Sequence, residues 1–337
     1  MSVRSVDYRL SKIYVCSHTE VLDDMVKDRR VIVITDANVY ANYLTLMERY
    51  EHIVIGSGEE IKTLATVNEI YAKLMTMKAD RSTLLIGIGG GIVTDITGFV
   101  AATYMRGIKF GFISTTLLGQ VDASVGGKNG VNVADYKNMV GTFTHPEFVI
   151  LDVDMLRTLP KREFRAGLAE VIKAAIIDDC KLFEELERRD IYAIFDDSEF
   201  VVEMVEHALK VKIAIVERDE RELGPRRLLN LGHTIGHAIE KCSHDYNHGE
   251  AVAIGMVMIS RLAVRRGLIA SELCDRVEKL LLRYGFDIDT TIPKADIVTQ
   301  IVQDKKRSGD VINLVLPTAI GHCEVIPVKY EELEELL

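Results

Sequence analysis

Five short apolar runs in the first half of the chain set the tightest limit on what it can fold into. They are VIVITD at 31–36, HIVIG at 52–56, TLLIGIGGG at 83–91, FGFISTT at 110–116 and EFVILD at 147–152. Each reads as a short buried strand. Between the second and third, Ile61, Leu64, Val67, Ile70, Tyr71, Leu74 and Met75 recur at helical period. Strand and helix in alternation predict a largely parallel sheet covered on both faces.

From about residue 153 the texture changes. KREFRAGLAEVIKAAIIDD and EFVVEMVEHALKVKIAIVERD are long helical patterns, and DVINLVLPTAIGHCEVIPV is the one stretch there that reads as strand or hairpin. The expected architecture is an α/β domain over residues 1–152 and a mostly α-helical domain over 153–337, with a cleft between them. A length of 337 residues suits about two domains.

The net charge of −10 argues against nucleic acid as a partner. An anionic small molecule would need local lysines and arginines to overcome that field. The segment MSVRSVDYRLSKIYV lacks the apolar core and cleavage site of a secretory signal, and no apolar run is long enough to span a membrane. Five cysteines without a CxxC pair are expected to be reduced thiols of a cytoplasmic protein.

Several stretches have the composition of sites. LLIGIGGGIVTDITGF is strand, glycine turn and helix, where backbone amides suit a phosphate, although it departs from GxGxxG at Ile92. Asp95 is expected in that helix's first turn, either accepting ribose hydroxyls or complementing the helix dipole. In GSGEEIK, Ser57 or Gly58 is read as a helix cap, with Glu59 and Lys62 as alternative contacts to a base and ribose. QVDASVGGKNGVNVADYKNMVG, with Asp122, Lys128, Lys137 and Asn138 among its glycines, reads as a polar loop without regular pattern. Its lysines suit phosphate or carboxylate as point charges. Glu170 and Lys173 lie three apart on an otherwise apolar helix, where a charged pair is costly unless a metal or anion compensates.

Histidine is concentrated in one place. NLGHTIGHAIEKCSHDYNHGEAVAIGM holds His233, His237, His244 and His248, out of nine in the chain. His233 and His237 are four apart, so on a helix they share one face. That spacing suits joint metal ligation, or one ligand beside one base. HExxH is absent, because Thr234 stands where that motif has Glu. Glu170 is a candidate carboxylate to complete a His–His–Glu site.

Taken together, GGGIVTDITGFVAATYMRGI, TTLLGQVDASVGGK, KNMVG, LRTLPKREFRAGLAEVIK, NLGHTIGHAIE and HGEAVAIGM resemble the 3-dehydroquinate synthase family of sugar-phosphate cyclases. The resemblance runs in order from about Asp36 to about Gly321. It implies a lyase of the shikimate pathway, dependent on NAD and one divalent metal, zinc or cobalt. The implied reaction converts 3-deoxy-D-arabino-heptulosonate 7-phosphate to 3-dehydroquinate and phosphate.

The resemblance also implies roles residue by residue. Glu170, His233 and His248 match the metal ligands, leaving His237 as base or proton shuttle and His244 as a loop residue. Asp36, Asn38, Glu59 and Lys62 match the adenosine end of the cofactor site. Gly90, Gly91 and Asp95, with Thr115 and Thr116 nearby, match its pyrophosphate and nicotinamide ribose. Lys128 and Lys137 match positions serving cofactor and substrate. Around the substrate, Asp122, Asn138, Lys173 and Asn230 match, and Lys212 with Arg226 matches the carboxylate clamp. Asn138, Lys137 and Lys173 join His237 among the expected catalytic groups. Lys306 of DKK is the expected further substrate lysine. Arg106 of YMRGI matches an arginine that reaches the neighbouring subunit's site, implying a homodimer.

Two other readings stay open at this level: a related cyclase of secondary metabolism, and a metal-dependent alcohol dehydrogenase. The lysines at 128, 137 and 173 speak against a simple alcohol, and Lys212 with Arg226 speaks for a carboxylated substrate. Pro225 departs from the family's usual Leu just before Arg226. Proline fixes φ and removes an N–H, so the aim of that guanidinium is expected to be sensitive to it.

Overall fold

The computed structural model describes residues 3–16, 21–134, 136–305, 311–330 and 333. It divides into two compact units. The first comprises Met1–Phe164 with Val201–Glu206, and the second Arg165–Phe200 with His207–Leu337.

The first unit is built on a seven-stranded sheet. Its strands are β1 (Arg4–Val6), β2 (Lys12–Cys16), β3 (Val31–Asp36), β4 (Glu51–Ile55), β5 (Leu84–Gly89), β6 (Phe110–Ser114) and, after the hairpin β7 (Lys128–Val133) and β8 (Tyr136–Phe143), β9 (Phe148–Asp152). The order is β1-β2-β9-β6-β5-β3-β4. Every pairing is parallel except β1 with β2. The helices are α1 (Val21–Val26), α2 (Ala37–Asn42), α3 (Leu44–Met47), α4 (Leu64–Thr76) and α5 (Gly91–Thr103). Alternate residues of the central strands, among them Val31, Val33, Leu84, Ile86 and Ile88, enter one core with Leu22, Met47, Phe148 and Ile150. Each such side chain contributes roughly 1.5–3 kcal/mol by leaving water. Their neighbours Ile32, Ile34 and Leu85 are equally buried on the opposite face. Burial on both faces is why these strands are written as continuous apolar runs.

Three local expectations are corrected. Stretch 120–141 is not an irregular loop: a π-helical turn at Gly119–Ala123 leads into the antiparallel β7–β8 hairpin, pairing Lys128 with Phe143 through Val133 with Tyr136. Nearly all of β8 is exposed, so no burial period marked it as a strand. Neither Ser57 nor Gly58 caps α4; Gly58 is the N-cap only of the short 3-10 helix Glu59–Ile61. Helix α4 is capped by Thr63, whose hydroxyl accepts from the Thr66 N–H at 3.3 Å. Asp95 lies beyond the first turn of α5, because that helix opens at Gly91. Within α4, Val67, Ile70 and Leu74 are buried, whereas Leu64 and Met75 face solvent.

The second unit is mainly helical: α6 (Lys161–Asp178, beginning in the first unit), α7 (Cys180–Glu187), α8 (Ile191–Asp196), α9 (Ser198–Arg218), α10 (His233–Cys242), α11 (His248–Arg265), α12 (Ser271–Arg283) and α13 (Lys294–Lys305). One antiparallel hairpin, β10 (Val311–Ala319) with β11 (His322–Lys329), accompanies them. Helix α11 is buried almost all round from Ala251 to Ala263, the condition of a helix at the centre of a bundle. Asn247 and Glu250 close a capping box at its start. Among the described residues no helix is long and apolar enough to cross a membrane.

Candidate functional site

In the second unit, three helices deliver one carboxylate and two imidazoles to a common point. Glu170 comes from the middle of α6, His233 from the first residue of α10 and His248 from the first residue of α11. The Nε2 atoms of His233 and His248 each stand 3.5 Å from Glu170 Oε1. Ligand atoms of all three lie within 4.8 Å of one another. Glu170 is buried, and neither of its oxygens has a partner in hydrogen-bond geometry. Lys173 is equally buried and forms an ion pair with Oε2 one helical turn along.

Glycines allow the approach. A Cβ on Gly249 would lie 2.3 Å from the Ala166 carbonyl oxygen, so α11 can meet α6 this closely only with hydrogen there. A Cβ on Gly255 would lie 2.1 Å from the Gly232 carbonyl oxygen, which brings the start of α10 against α11.

The electrostatics follow from burial and proximity. Burial pushes the Glu170 carboxyl up, but the Lys173 ammonium, with His233 and His248, outweighs it and holds the group well below the usual carboxylate range. Burial, with the Lys173 charge, pulls His233 down to about 3. Burial also lowers His248, but Glu170 and Glu240 outweigh it and raise the imidazole to about 10. An anionic buried carboxylate with unsatisfied oxygens, facing two Nε2 atoms, fits a divalent ion with mixed nitrogen and oxygen ligands. His237 is on the same side of α10, its ring centroid 5.3 Å from that of His233, but it is exposed. His244 lies in the exposed turn between α10 and α11.

Lys212 on α9 and Arg226 are buried in this unit as well. Arg226 belongs to a 3-10 helix, Pro225–Asn230, with Pro225 at its first position. There the missing N–H is one that a helix start leaves unused, so proline fits. Asp219 holds the segment: its Oδ2 accepts from the N–H groups of Gly224 at 2.6 Å and Arg226 at 3.0 Å, and its Oδ1 from Leu223 at 2.9 Å. The guanidinium Nη1 of Arg226 donates to the Glu220 carbonyl. Asn230 donates to Glu222 Oε1 at 2.6 Å.

In the first unit a different cluster assembles. Buried Lys62 lies 2.5 Å from Asp95 Oδ2 and 2.6 Å from Asn138 Oδ1. Asn138 has φ +56°, a left-handed conformation that a non-glycine residue adopts at some cost. Asn132 supports it, accepting the Asn138 N–H at Oδ1 (2.9 Å) while donating to Glu59 Oε1 (2.7 Å). Burial raises Asp95 to about 6 even though Lys62 opposes the shift. Asp122, in the π-helical turn, adds to that rise.

The other expected positions surround the strand ends. Gly90 is the N-cap of α5 without a capping side chain, and Gly91 its first residue. Thr115 donates its N–H to the Gly89 carbonyl, and a Cβ on Gly90 would touch Thr116. Asp36 caps α2 through Oδ1, accepting from Asn38 and Val39 N–H groups. Lys128 and Lys137 are exposed on the hairpin. Arg106 is exposed with φ +67°, next to Met105 at φ +50°. Lys306 lies outside the described residues. Sequence reasoning missed Asn132, Asp219, Glu222 and Glu240. For Glu240 a signal existed: it is seven after His233, on the same helix face.

Two family models match consecutive stretches of the chain, 3-dehydroquinate synthase N-terminal over residues 52–166 and 3-dehydroquinate synthase C-terminal over 167–307. The chain belongs to the 3-dehydroquinate synthase family. It is 41% identical over 307 residues to a 3-dehydroquinate synthase of Dictyoglomus thermophilum, covering 90% of this chain and 85% of that one. It is 43% identical over 330 residues to the 3-dehydroquinate synthase of a Thermoanaerobacter species, covering 94% and 92%. Among solved structures, a 2-epi-5-epi-valiolone synthase from Streptomyces hygroscopicus with NAD+ and Zn2+ bound superimposes with a TM-score of 0.88 at 25% identity. That match covers 100% of this chain and 97% of the other. This 3-dehydroquinate synthase-family chain therefore shares the fold of a cyclase with a different named product.

Proposed function

We infer that the chain is a 3-dehydroquinate synthase, converting 3-deoxy-D-arabino-heptulosonate 7-phosphate to 3-dehydroquinate and inorganic phosphate in aromatic amino acid biosynthesis. One observation carries the reading in the structure: the buried Glu170 carboxylate facing two imidazole Nε2 atoms at 3.5 Å. Relatives named 3-dehydroquinate synthase at 41–43% identity support the substrate, against 25% for the valiolone synthase.

The residues fit NAD and one divalent ion, and the valiolone synthase carries NAD+ and Zn2+. Bound NAD supplies a reversible hydride acceptor and the ion a Lewis acid, so the reaction proceeds without net redox change. The ligands are Glu170, His233 and His248. The amides at Gly90 and Gly91 take the pyrophosphate at the start of α5, where no side chain competes for them. Asp95 and Thr115 with Thr116 serve the nicotinamide ribose, and Asp36, Asn38, Glu59 and Lys62 the adenosine end.

Arg226 and Lys212 bind the substrate carboxylate, the guanidinium through a bidentate pair. Lys128, Lys137 and Lys173 hold the anionic substrate, and Asp122, Asn138 and Asn230 orient its hydroxyls. His237, outside the ligand set and exposed, moves the proton. Holding one substrate through successive steps is largely a matter of position. We assign residues 1–152 as the dinucleotide-binding division of the chain and residues 153–337 as the mainly helical metal- and substrate-binding division. Arg106 with Met105, exposed in left-handed conformations, suits a contact with a second copy, and we place the enzyme as a homodimer. Five free cysteines suit a reducing compartment, the cytoplasm.

The test is direct. Purified protein with NAD and Zn2+ is expected to release phosphate from the heptulosonate phosphate without NADH accumulating. Turnover of heptulose 7-phosphate in its place would select a secondary-metabolism cyclase, and steady NADH formation from an alcohol would select a dehydrogenase.

A further inference from the structure

The two imidazoles beside Glu170 are held from behind in different ways. His233 directs Nδ1 at the main-chain carbonyl of Leu231, 3.1 Å away. His248 directs Nδ1 at Glu240 Oε2, 3.3 Å away. Each ring thus has an oxygen acceptor on its outer nitrogen and Glu170 Oε1 3.5 Å from its inner one. In a neutral ring, the form that can ligate an ion, an acceptor at Nδ1 keeps the single proton there and leaves the Nε2 lone pair pointing inward.

The two supports differ in kind. The Leu231 carbonyl is main chain, two residues before His233, and accompanies the fold of that turn. Glu240 is a side chain whose carboxylate is largely buried, at 12% exposure, on a helix otherwise used to carry His233 and His237. His248 opens α11, so no preceding helical turn restricts its rotamer. It needs an outside group to fix its ring, and Glu240 is that group.

We propose that Glu240 is a positioning residue of the metal centre: it orients His248 and strengthens its Nε2 as a donor, without being a ligand. This rests on the reading of Glu170, His233 and His248 as the metal site. A competing arrangement exists, because His237, Glu240 and His248 also bring ligand atoms within 4.8 Å of one another. In that arrangement Glu240 would ligate a second ion.

The experiment uses the full chain, stripped of metal, with NAD present. Zn2+ is titrated against a chelating dye for affinity and stoichiometry, and Co2+ visible spectra report coordination. Wild-type protein is expected to bind one ion tightly. Glu240→Ala should bind one ion about 10–100-fold more weakly, the usual effect of losing such a support. Glu240→Gln, whose amide oxygen can still accept from Nδ1, should lose less. The Co2+ spectrum should keep the band pattern of the same three protein ligands. Metal-free melting temperatures of the variants should match wild type, which separates positioning from folding. Unchanged affinity in Glu240→Ala overturns the inference while leaving the ligand set intact. So does a wild-type stoichiometry of two ions that falls to one. No ion uptake by the wild-type chain overturns the ligand set and the inference together.

Discussion

The ammonium of Lys62 lies 2.6 Å from the side-chain oxygen of Asn138, although 76 residues separate them. The same ammonium neutralises Asp95, so one buried cation ties the loop after β4 and the β7–β8 hairpin to helix α5. Removing one partner of a buried pair strands the other, at about 3–5 kcal/mol. Lys62→Met is expected to lower the unfolding free energy by that amount at pH 8, measured by urea unfolding. The double variant Lys62→Met with Asp95→Asn should recover most of it, because neither charge is then left alone.

Asp95 also makes a pH prediction. Its carboxyl is raised from 3.8 to about 6 by burial. A raised folded-state value means the native state holds the proton more tightly than the unfolded chain. The resulting stabilisation is full below pH 4 and lost as pH rises through 6. The stability of Asp95→Asn minus that of wild type should therefore climb between about pH 4 and 6, by no more than about 3 kcal/mol, and stay level above. A difference that is flat across this window would show that Asp95 titrates normally.

Gly249 is a steric gate for the metal centre. Gly249→Ala places a methyl against the backbone of Ala166 and must push α11 from α6. The expected cost is about 1–3 kcal/mol, as for other overpacked contacts. Zn2+ affinity should fall at least tenfold, since Glu170 and His248 sit on the two helices. Isothermal titration beside a thermal melt checks both.

The segment carrying Arg226 separates two kinds of substitution. Pro225→Leu should leave the melting temperature and turnover nearly unchanged, because position 225 is at a helix start where an N–H is dispensable. Asp219→Ala removes the acceptor of three backbone N–H groups. It should raise KM for the carboxylated substrate about tenfold, corresponding to about 1.4 kcal/mol, with a smaller change in kcat. Steady-state kinetics on the two variants decides it.

Glu170→Gln should abolish tight Zn2+ binding and also destabilise the metal-free protein, because the buried Lys173 ammonium loses the carboxylate of its ion pair. His237→Ala should keep the ion and lose turnover. Equal loss of metal in both would remove the division between ligand and base.

What the chain's order of residues determined by itself is the set of strands β3, β4, β5, β6 and β9 and the long helices of the second unit. Burial on two faces of a parallel sheet, or on one stripe of a helix, writes itself as local apolar periodicity, and local periodicity is legible without coordinates. Glu170 was legible from the residues as a candidate carboxylate 63 positions before His233, but which two histidines complete the set was legible only through resemblance. Tertiary structure alone decided the rest. Strand β8 is exposed almost throughout and so leaves no burial pattern to read. The Lys62–Asp95–Asn138 cluster joins elements distant in sequence, and the Asp219 clamp and the Glu240–His248 contact, though they span only four to eight residues, depend on how the turns there are folded. Their physical cause is a hydrogen bond or charge that must be matched at a buried point, and which groups meet there depends on how helices with facing glycines pack.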